Sequence, residues 1–315
     1  MTDFLGQFEL LLSPVALALL GLCVGSFLNV LTHRVPLILE RQWWADVAQQ
    51  LGDAESWRRV FGGARPDAVL PADHLRTATA LGKAVTALAP FTIARPRSRC
   101  PACGHQLAWH ENLPLLGWLR LKGRCSACNV RIALRYPVVE FATAALFAAI
   151  AWRFGSQPVV LLWSAFAAVL LAVALIDWDT TLLPDAMTLP LLWAGLVAAG
   201  LGWTLSLPSA LWGAVAGYVS LWSVYWLFKL TTGKEGMGYG DFKLLAALGA
   251  WLGWQMIVPI LLLASVIGAV VGIAMKLAAT LRDGRYVPFG PFLAGAGLVV
   301  MFAGAPKVLD WIGWA

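Results

Sequence analysis

Four aspartates supply the residue types needed for acid and base chemistry. Asp241 stands at the end of Gly236-Met-Gly-Tyr-Gly-Asp-Phe-Lys243, where a glycine-rich loop runs into an apolar segment. Asp177, Asp179 and Asp185 cluster at the end of another apolar segment. Carboxylates at membrane depth or at its edge are costly to hold there and are functional by default. Two that face each other give a base to activate water and an acid to protonate a leaving nitrogen. Gly238 and Gly240 lack a Cβ, so they let the backbone enter φ > 0 and let an extended peptide pass close to Asp241. Asp241 equally fits the N-cap of a helix starting at Phe242. Asp177 and Asp179, two residues apart, point to different faces of a helix, so only one of them can meet Asp241. Asp185 follows Pro184 and opens a segment, where capping explains it. Asp177 continues its apolar segment directly and is the expected partner.

Cys100-Pro-Ala-Cys103 and Cys125-Ser-Ala-Cys128 form two knuckles separated by 21 residues, close to the spacing of zinc ribbons. Four thiolates at these intervals close a tetrahedral site, with sulfur about 2.3 Å from zinc and no position left for water, so the metal is structural. Two disulfides are the competing reading, disfavoured in a reducing compartment. His105 and His110 could replace one ligand, although four cysteines suffice. Cys23 stands alone in the first apolar segment and reads as packing.

The elements that must position these groups are membrane spans. Of 315 residues 60% are hydrophobic and 13% charged, and stretches such as Val159 to Ile176 approach the roughly 20 apolar residues that cross a bilayer. Leu10 to Val30 follows Asp3 and Glu9 rather than a basic region, so it reads as a permanent anchor rather than a cleaved signal. Fifteen of the 23 Lys and Arg lie between Arg34 and Arg135. Lys229, Lys234, Lys243, Lys276, Arg282 and Arg285 cluster in two later places. That is the positive-inside pattern, so the net charge of +6 points to a lipid bilayer and not to nucleic acid.

Eight spans follow, at about residues 10–31, 137–152, 158–176, 185–203, 207–228, 242–252, 255–281 and 288–304, with both termini outside. Residues 242–252 are short for a span, roughly 15 to 20 Å, which predicts a tilted or re-entrant segment. In the long cytoplasmic stretch, Leu39, Trp43, Trp44, Val47 and Leu51 recur at helical spacing, as do Leu75, Ala78, Leu81, Val85 and Leu88. They predict two short amphipathic helices. The expected fold is an all-α polytopic membrane protein of about eight transmembrane helices, with a cytoplasmic zinc-ribbon domain between the first and second. The expected divisions are residues 1–31, a first helix; 32–136, the cytoplasmic domain; and 137–315, the membrane core.

Several stretches together resemble the type IV prepilin peptidase family, the bifunctional leader peptidases and N-methyltransferases among the membrane GxGD aspartic proteases. They are Gly25-Ser-Phe-Leu-Asn-Val30 with Arg34 and Pro36, the two cysteine knuckles, and Arg135-Tyr-Pro-Val-Val-Glu140. To these are added Ile176-Asp-Trp-Asp-Thr-Thr-Leu-Leu-Pro-Asp185, Lys234-Glu-Gly-Met-Gly-Tyr-Gly-Asp-Phe-Lys243 and Pro288-Phe-Gly-Pro-Phe292. The resemblance implies that Asp177 and Asp241 are the catalytic pair, cutting a type IV prepilin or type II secretion pseudopilin leader after glycine on the cytoplasmic side of the bacterial inner membrane. It also implies methylation of the new N-terminal residue from S-adenosylmethionine, and it associates Gly123 with that step, where a turn glycine entering the second knuckle is the alternative. No glycine-rich nucleotide fingerprint marks a donor site. Glu140 is a substrate or donor contact, or simply a carboxylate favoured at a helix start. Two other classes fit less well: an ion relay, which would place acidic residues at mid-span, and a ribbon-bearing scaffold, which leaves the glycine-rich loop without a purpose.

Overall fold

The computed structural model describes residues 9–61, 73–278, 287–311 and 313–314. In chain order the helices are α1 (Pro14–Gly52), α2 (Ala54–Phe61), α3 (His74–Thr86), α4 (Leu116–Arg120), α5 (Arg135–Phe154) and α6 (Val159–Thr180). There follow α7 (Asp185–Gly200), α8 (Leu207–Thr232), α9 (Tyr239–Leu252), α10 (Ile257–Leu277), α11 (Gly290–Ala303) and α12 (Ala305–Trp311). Among the described residues the only β pairing is two isolated bridges in the cysteine region. The basic loop at Arg282 and Arg285 lies outside the described residues.

Among the described residues, each of the eight expected segments is mostly helical. By length and apolarity α1, α5, α6, α8 and the Trp254–Leu277 stretch can each cross a bilayer; α11 with α12 makes a further candidate, bent by 106° at its break. The chain is therefore a multi-pass membrane protein.

The first helix differs from expectation. Ser13 accepts the Ala16 amide at 3.3 Å and Pro14 opens the helix, as caps and first-turn prolines do. The helix then runs for 39 residues, through Pro36, and absorbs the stretch from Leu39 to Leu51 expected as a separate element. Proline removes one intrahelical hydrogen bond, and tertiary contacts outweigh that loss. Buried Arg34 donates to the carbonyls of Thr92, Ile93 and Pro96 at 2.9, 3.1 and 2.6 Å, and α3 packs alongside. The Leu39 to Leu51 stripe stays largely open, with Trp43 and Trp44 49% and 57% exposed. Small residues make the contact instead: Ala48 and Ala78 are buried, facing Gly82 and Gly52.

Helix α5 lies along α1 because two glycines one turn apart remove the side chains between them. A Cβ on Gly21 would fall 2.7 Å from Ala144 Cα, and one on Gly25 2.7 Å from Glu140 Cα. Such close backbone approach is how helices associate without a hydrophobic driving force. Helix α9 is the centre of the other half. Ten of its fourteen residues are buried, enclosed by α7, α8 and α11, and Trp251 donates its indole N–H to Leu191 O at 2.8 Å. Gly195 of α7, Gly217 of α8 and Gly297 of α11 each lack a side chain where α9 passes. A helix walled in by protein need not match the bilayer thickness, which explains the short segment without a re-entrant loop.

Candidate active site and cysteine ribbon

Asp177 sits in the last turn of α6 and is 4% exposed; Asp241 is the third residue of α9 and is 8% exposed. The two carboxylates are close enough to interact electrostatically. Asp177 Oδ2 accepts the Gly290 amide at 3.0 Å, while Asp241 Oδ1 is buried without a partner. The other two aspartates are held by cations: Asp179 by Arg135 at 2.6 Å and Asp185 by Lys243 at 2.7 Å. Arg135 opens α5 directly after the cysteine region, so the carboxylates lie at the ribbon end of the bundle.

The glycine-rich loop works differently from expectation. The helix cap is Gly238, with φ −83° and ψ 153°, and Asp241 lies inside α9 rather than capping it. Asp185 likewise is the first residue of α7, behind a Pro184 cap. None of Gly236, Gly238 and Gly240 takes positive φ. Gly240 is needed for space: a Cβ there would fall 2.7 Å from Leu183 Cβ. The loop is tethered from behind, since Lys229 donates to Glu235 at 2.8 Å and to the Tyr225 hydroxyl at 3.1 Å, and that hydroxyl donates to Glu235 at 3.2 Å. Tyr239 packs against Tyr225 and Phe242, each at 5.3 Å between ring centroids.

Gly290 is the site residue that sequence reasoning left without a role. It starts α11, and its own Cβ would stand 2.5 Å from Asp177 Oδ2. Hence the position requires glycine for room, while its backbone amide supplies the donor. The signal was present in Pro288-Phe-Gly-Pro-Phe292, but nothing local ties that stretch to an aspartate 113 residues earlier. Glu140, in the second turn of α5, accepts the Leu115 amide at 2.7 Å. It pins the loop before α4, a role neither of its two expected readings anticipated.

The two knuckles repeat one turn. Cys100 N–H donates to His105 O and Gly104 N–H to Cys100 O; Cys125 N–H donates to Val130 O and Asn129 N–H to Cys125 O. Gly104 and Asn129 both take left-handed φ, 73° and 58°, the conformation glycine and asparagine tolerate best. Cys100 and Cys128 sulfurs are 3.8 Å apart, Cys103 and Cys125 sulfurs 3.9 Å, and all four lie within 4.8 Å of one another. Tetrahedral Zn–S bonds of about 2.3 Å separate sulfurs by about 3.8 Å, so the cluster fits a four-thiolate metal site and not disulfides. The Cys103 and Ala102 amides lower the Cys100 thiol to about 7, toward the thiolate a metal needs.

His105 is not part of the sulfur cluster; it pairs with Glu111 at 3.2 Å. Hydrogen bonds from Ser126, the Ala108 amide and His105 lower the Glu111 carboxyl to about 2. His110 packs edge-on against Trp109. Gly123 has φ 68°, and a Cβ on it would fall 2.8 Å from Trp118, so the turn alone demands glycine there.

Against this geometry, the comparisons with known proteins agree. Residues 19–154 match the Bacterial Peptidase A24 N-terminal domain and residues 164–273 the Type IV leader peptidase family. A prepilin leader peptidase/N-methyltransferase of Stutzerimonas stutzeri is 47% identical over 312 residues, 96% of each chain. Proteins of the same name from Pseudomonas aeruginosa and Burkholderia pseudomallei are 46% and 43% identical. They cover 91% and 92% of this chain and 89% and 85% of their own lengths. No solved structure matches. With this coverage, and with the paired aspartates and four cysteines in place, the chain belongs to the type IV leader peptidase family.

Proposed function

We propose that the protein is a membrane aspartic endopeptidase that removes the leader of type IV prepilins or pseudopilins after glycine, then methylates the new N-terminal amine from S-adenosylmethionine. The observation that carries the reading is the juxtaposition of Asp177 and Asp241, two buried carboxylates at helix ends with no cation on either among the described residues, while Asp179 and Asp185 are each paired with one. One carboxylate takes a proton from water as the oxygen attacks the scissile carbonyl. The other, protonated, delivers its proton to the leaving nitrogen as the C–N bond breaks. Gly290 fixes the orientation of Asp177, and the Tyr225–Lys229–Glu235 tether fixes the loop carrying Gly238 and Gly240, along which the extended substrate passes.

The charge distribution orients the ribbon end toward the cytoplasm of a bacterial inner membrane, where a basic leader also remains. Residues 32–136 form the cytoplasmic domain, into which α1 runs on from the membrane division at 1–31, and residues 137–315 form the membrane core. Cys100, Cys103, Cys125 and Cys128 hold a structural zinc, which when bound closes the ribbon and offers no coordination position for catalysis. Gly123 shapes the turn beside the ribbon, and methyl transfer is carried out in that region.

The test is mass spectrometry of a prepilin-like substrate with a glycine–phenylalanine junction, incubated with purified protein with and without S-adenosylmethionine. Cleavage after glycine and a one-methyl mass gain on the product support the reading. An intact junction with folded wild type refutes it.

A further inference from the structure

Between α6 and α7 the chain passes through Thr181, Leu182, Leu183 and Pro184, which the chemistry above does not use. This linker is held at both ends. Thr181 turns the chain with a left-handed φ of 56° and donates its amide to the Asp177 carbonyl at 2.8 Å. Beyond Pro184, Asp185 pairs at 2.7 Å with Lys243, which follows Asp241 and Phe242 on α9. Proline restricts the residue before it to extended backbone, so Leu183 has little freedom to withdraw. Its side chain touches both halves of the carboxylate site. A Cβ on Gly240, the neighbour of Asp241, would fall 2.7 Å from Leu183 Cβ and 3.2 Å from its Cδ1. A Cβ on Gly290 would fall 3.2 Å from the same Cδ1 and 2.5 Å from Asp177 Oδ2. One methyl group is thus wedged between the segment that carries Asp241 and the segment that orients Asp177, and both meet it with glycine. The two aspartates are buried, whereas Leu183 is only partly so, which leaves some of its side chain open beside them.

We infer that Leu183 is the residue that restricts the position before the scissile bond to glycine, an inference that rests on the peptidase reading. A general base must stand within about 3 Å of the water it activates, which holds the attacked carbonyl carbon close to Asp177 and Asp241. The Cβ of the residue contributing that carbonyl lies about 2.5 Å from the carbon, so it stays in the neighbourhood of the pair. There it meets the Leu183 methyl, as a Cβ at position 240 or 290 would. Glycine carries no such atom and passes. The selection works by exclusion: a larger residue is refused by a clash, not by the lack of a favourable contact. The residue after the junction projects its side chain to the opposite face of an extended strand and escapes Leu183.

The experiment measures kcat/KM of the full chain in detergent for prepilin-like substrates with glycine–phenylalanine, alanine–phenylalanine and glycine–leucine junctions. The readout is the ratio of alanine to glycine before the bond, taken within one preparation so that a general loss of activity cancels. Leu183→Ala should raise that ratio roughly 10- to 200-fold over wild type, the range one methylene commands in an apolar pocket, and leave the ratio of leucine to phenylalanine after the bond unchanged. An unchanged alanine ratio overturns the proposal. So does an equal change in both ratios, which is what mere loosening of the packing would give. Should Leu183→Ala fail to fold, Leu183→Met keeps the volume, and its unbranched chain can bend aside; it should move the alanine ratio in the same direction, and no movement overturns the proposal too. Wild type that cuts the alanine and glycine junctions equally overturns the proposal and leaves the peptidase reading standing. Folded wild type that cuts no junction retires both.

Discussion

The ribbon and the carboxylate pair are built on opposite plans. The ribbon draws its four sulfurs from two turns, each complete within six residues, and the turns carry their own hydrogen bonds and left-handed residues. The carboxylates come from residues 64 apart, and the amide that orients one of them from a third element further on. A site made of turns can be read and damaged locally. A site made by helix packing responds to changes at positions with no chemistry of their own.

The sharpest way to break this contrast is to remove the chemistry itself. Asp177→Asn and Asp241→Asn should each lower cleavage by about 10³-fold or more, with expression and metal content unchanged; retention of cutting by Asp177→Asn would move the role to Asp179 or Asp185. Next comes a residue that only packs. Gly290→Ala forces a methyl group to within 2.5 Å of the Asp177 carboxylate. Misplacement on this scale should reduce kcat about 10²-fold, while leaving the thermal unfolding midpoint within a few degrees of wild type.

Damage to the ribbon should register elsewhere. Cys125→Ser should abolish stoichiometric zinc and destabilise the domain by about 4 kcal/mol or more, seen as rapid proteolysis between α1 and α5. Methylation should fall at least as far as cleavage, and full activity of both steps in zinc-free protein would sever the ribbon from function. Smaller still, Asp179→Asn and Asp185→Asn each remove one half of a partly exposed ion pair, worth at most about 1 kcal/mol, so cleavage should stay within about fivefold of wild type.

A separate effect, on ribbon stability and not on cleavage, is set by pH. Glu111 has a folded value of about 2 against an ordinary 4.5, so its carboxylate favours the folded ribbon above pH 4.5, and that contribution is lost as pH falls from 4.5 toward 2. The stability gap between wild type and Glu111→Gln should close over the same interval in a denaturation series.

What could be read in advance follows the same division. The cysteine spacing alone specified the ribbon, because its geometry is local. Helical periodicity left room for only one of Asp177 and Asp179 opposite Asp241, and the direct continuation of the apolar segment into Asp177 selected it, whereas Gly290 could not be connected to it from one sequence. The glycines at 238 and 240 suggested unusual dihedrals, whereas Gly240 serves to clear Leu183. The separate elements expected at residues 10–31 and from Leu39 are one helix, which contacts from Arg34 carry through Pro36. The eight apolar segments were visible from composition, but the central place of the shortest one emerges only from what encloses it.

The Gly290 contact also imposes an order in time. A nascent chain that has delivered its four cysteines and all the aspartates discussed above to the membrane still lacks the amide that holds Asp177. Proteolytic competence must therefore wait until nearly the last helix has emerged from the ribosome and inserted. A premature stop between Asp241 and Pro288 would leave a membrane protein with every acidic residue of the site and no oriented nucleophile-activating pair. Synthesis itself keeps the protease silent until its fold is closed.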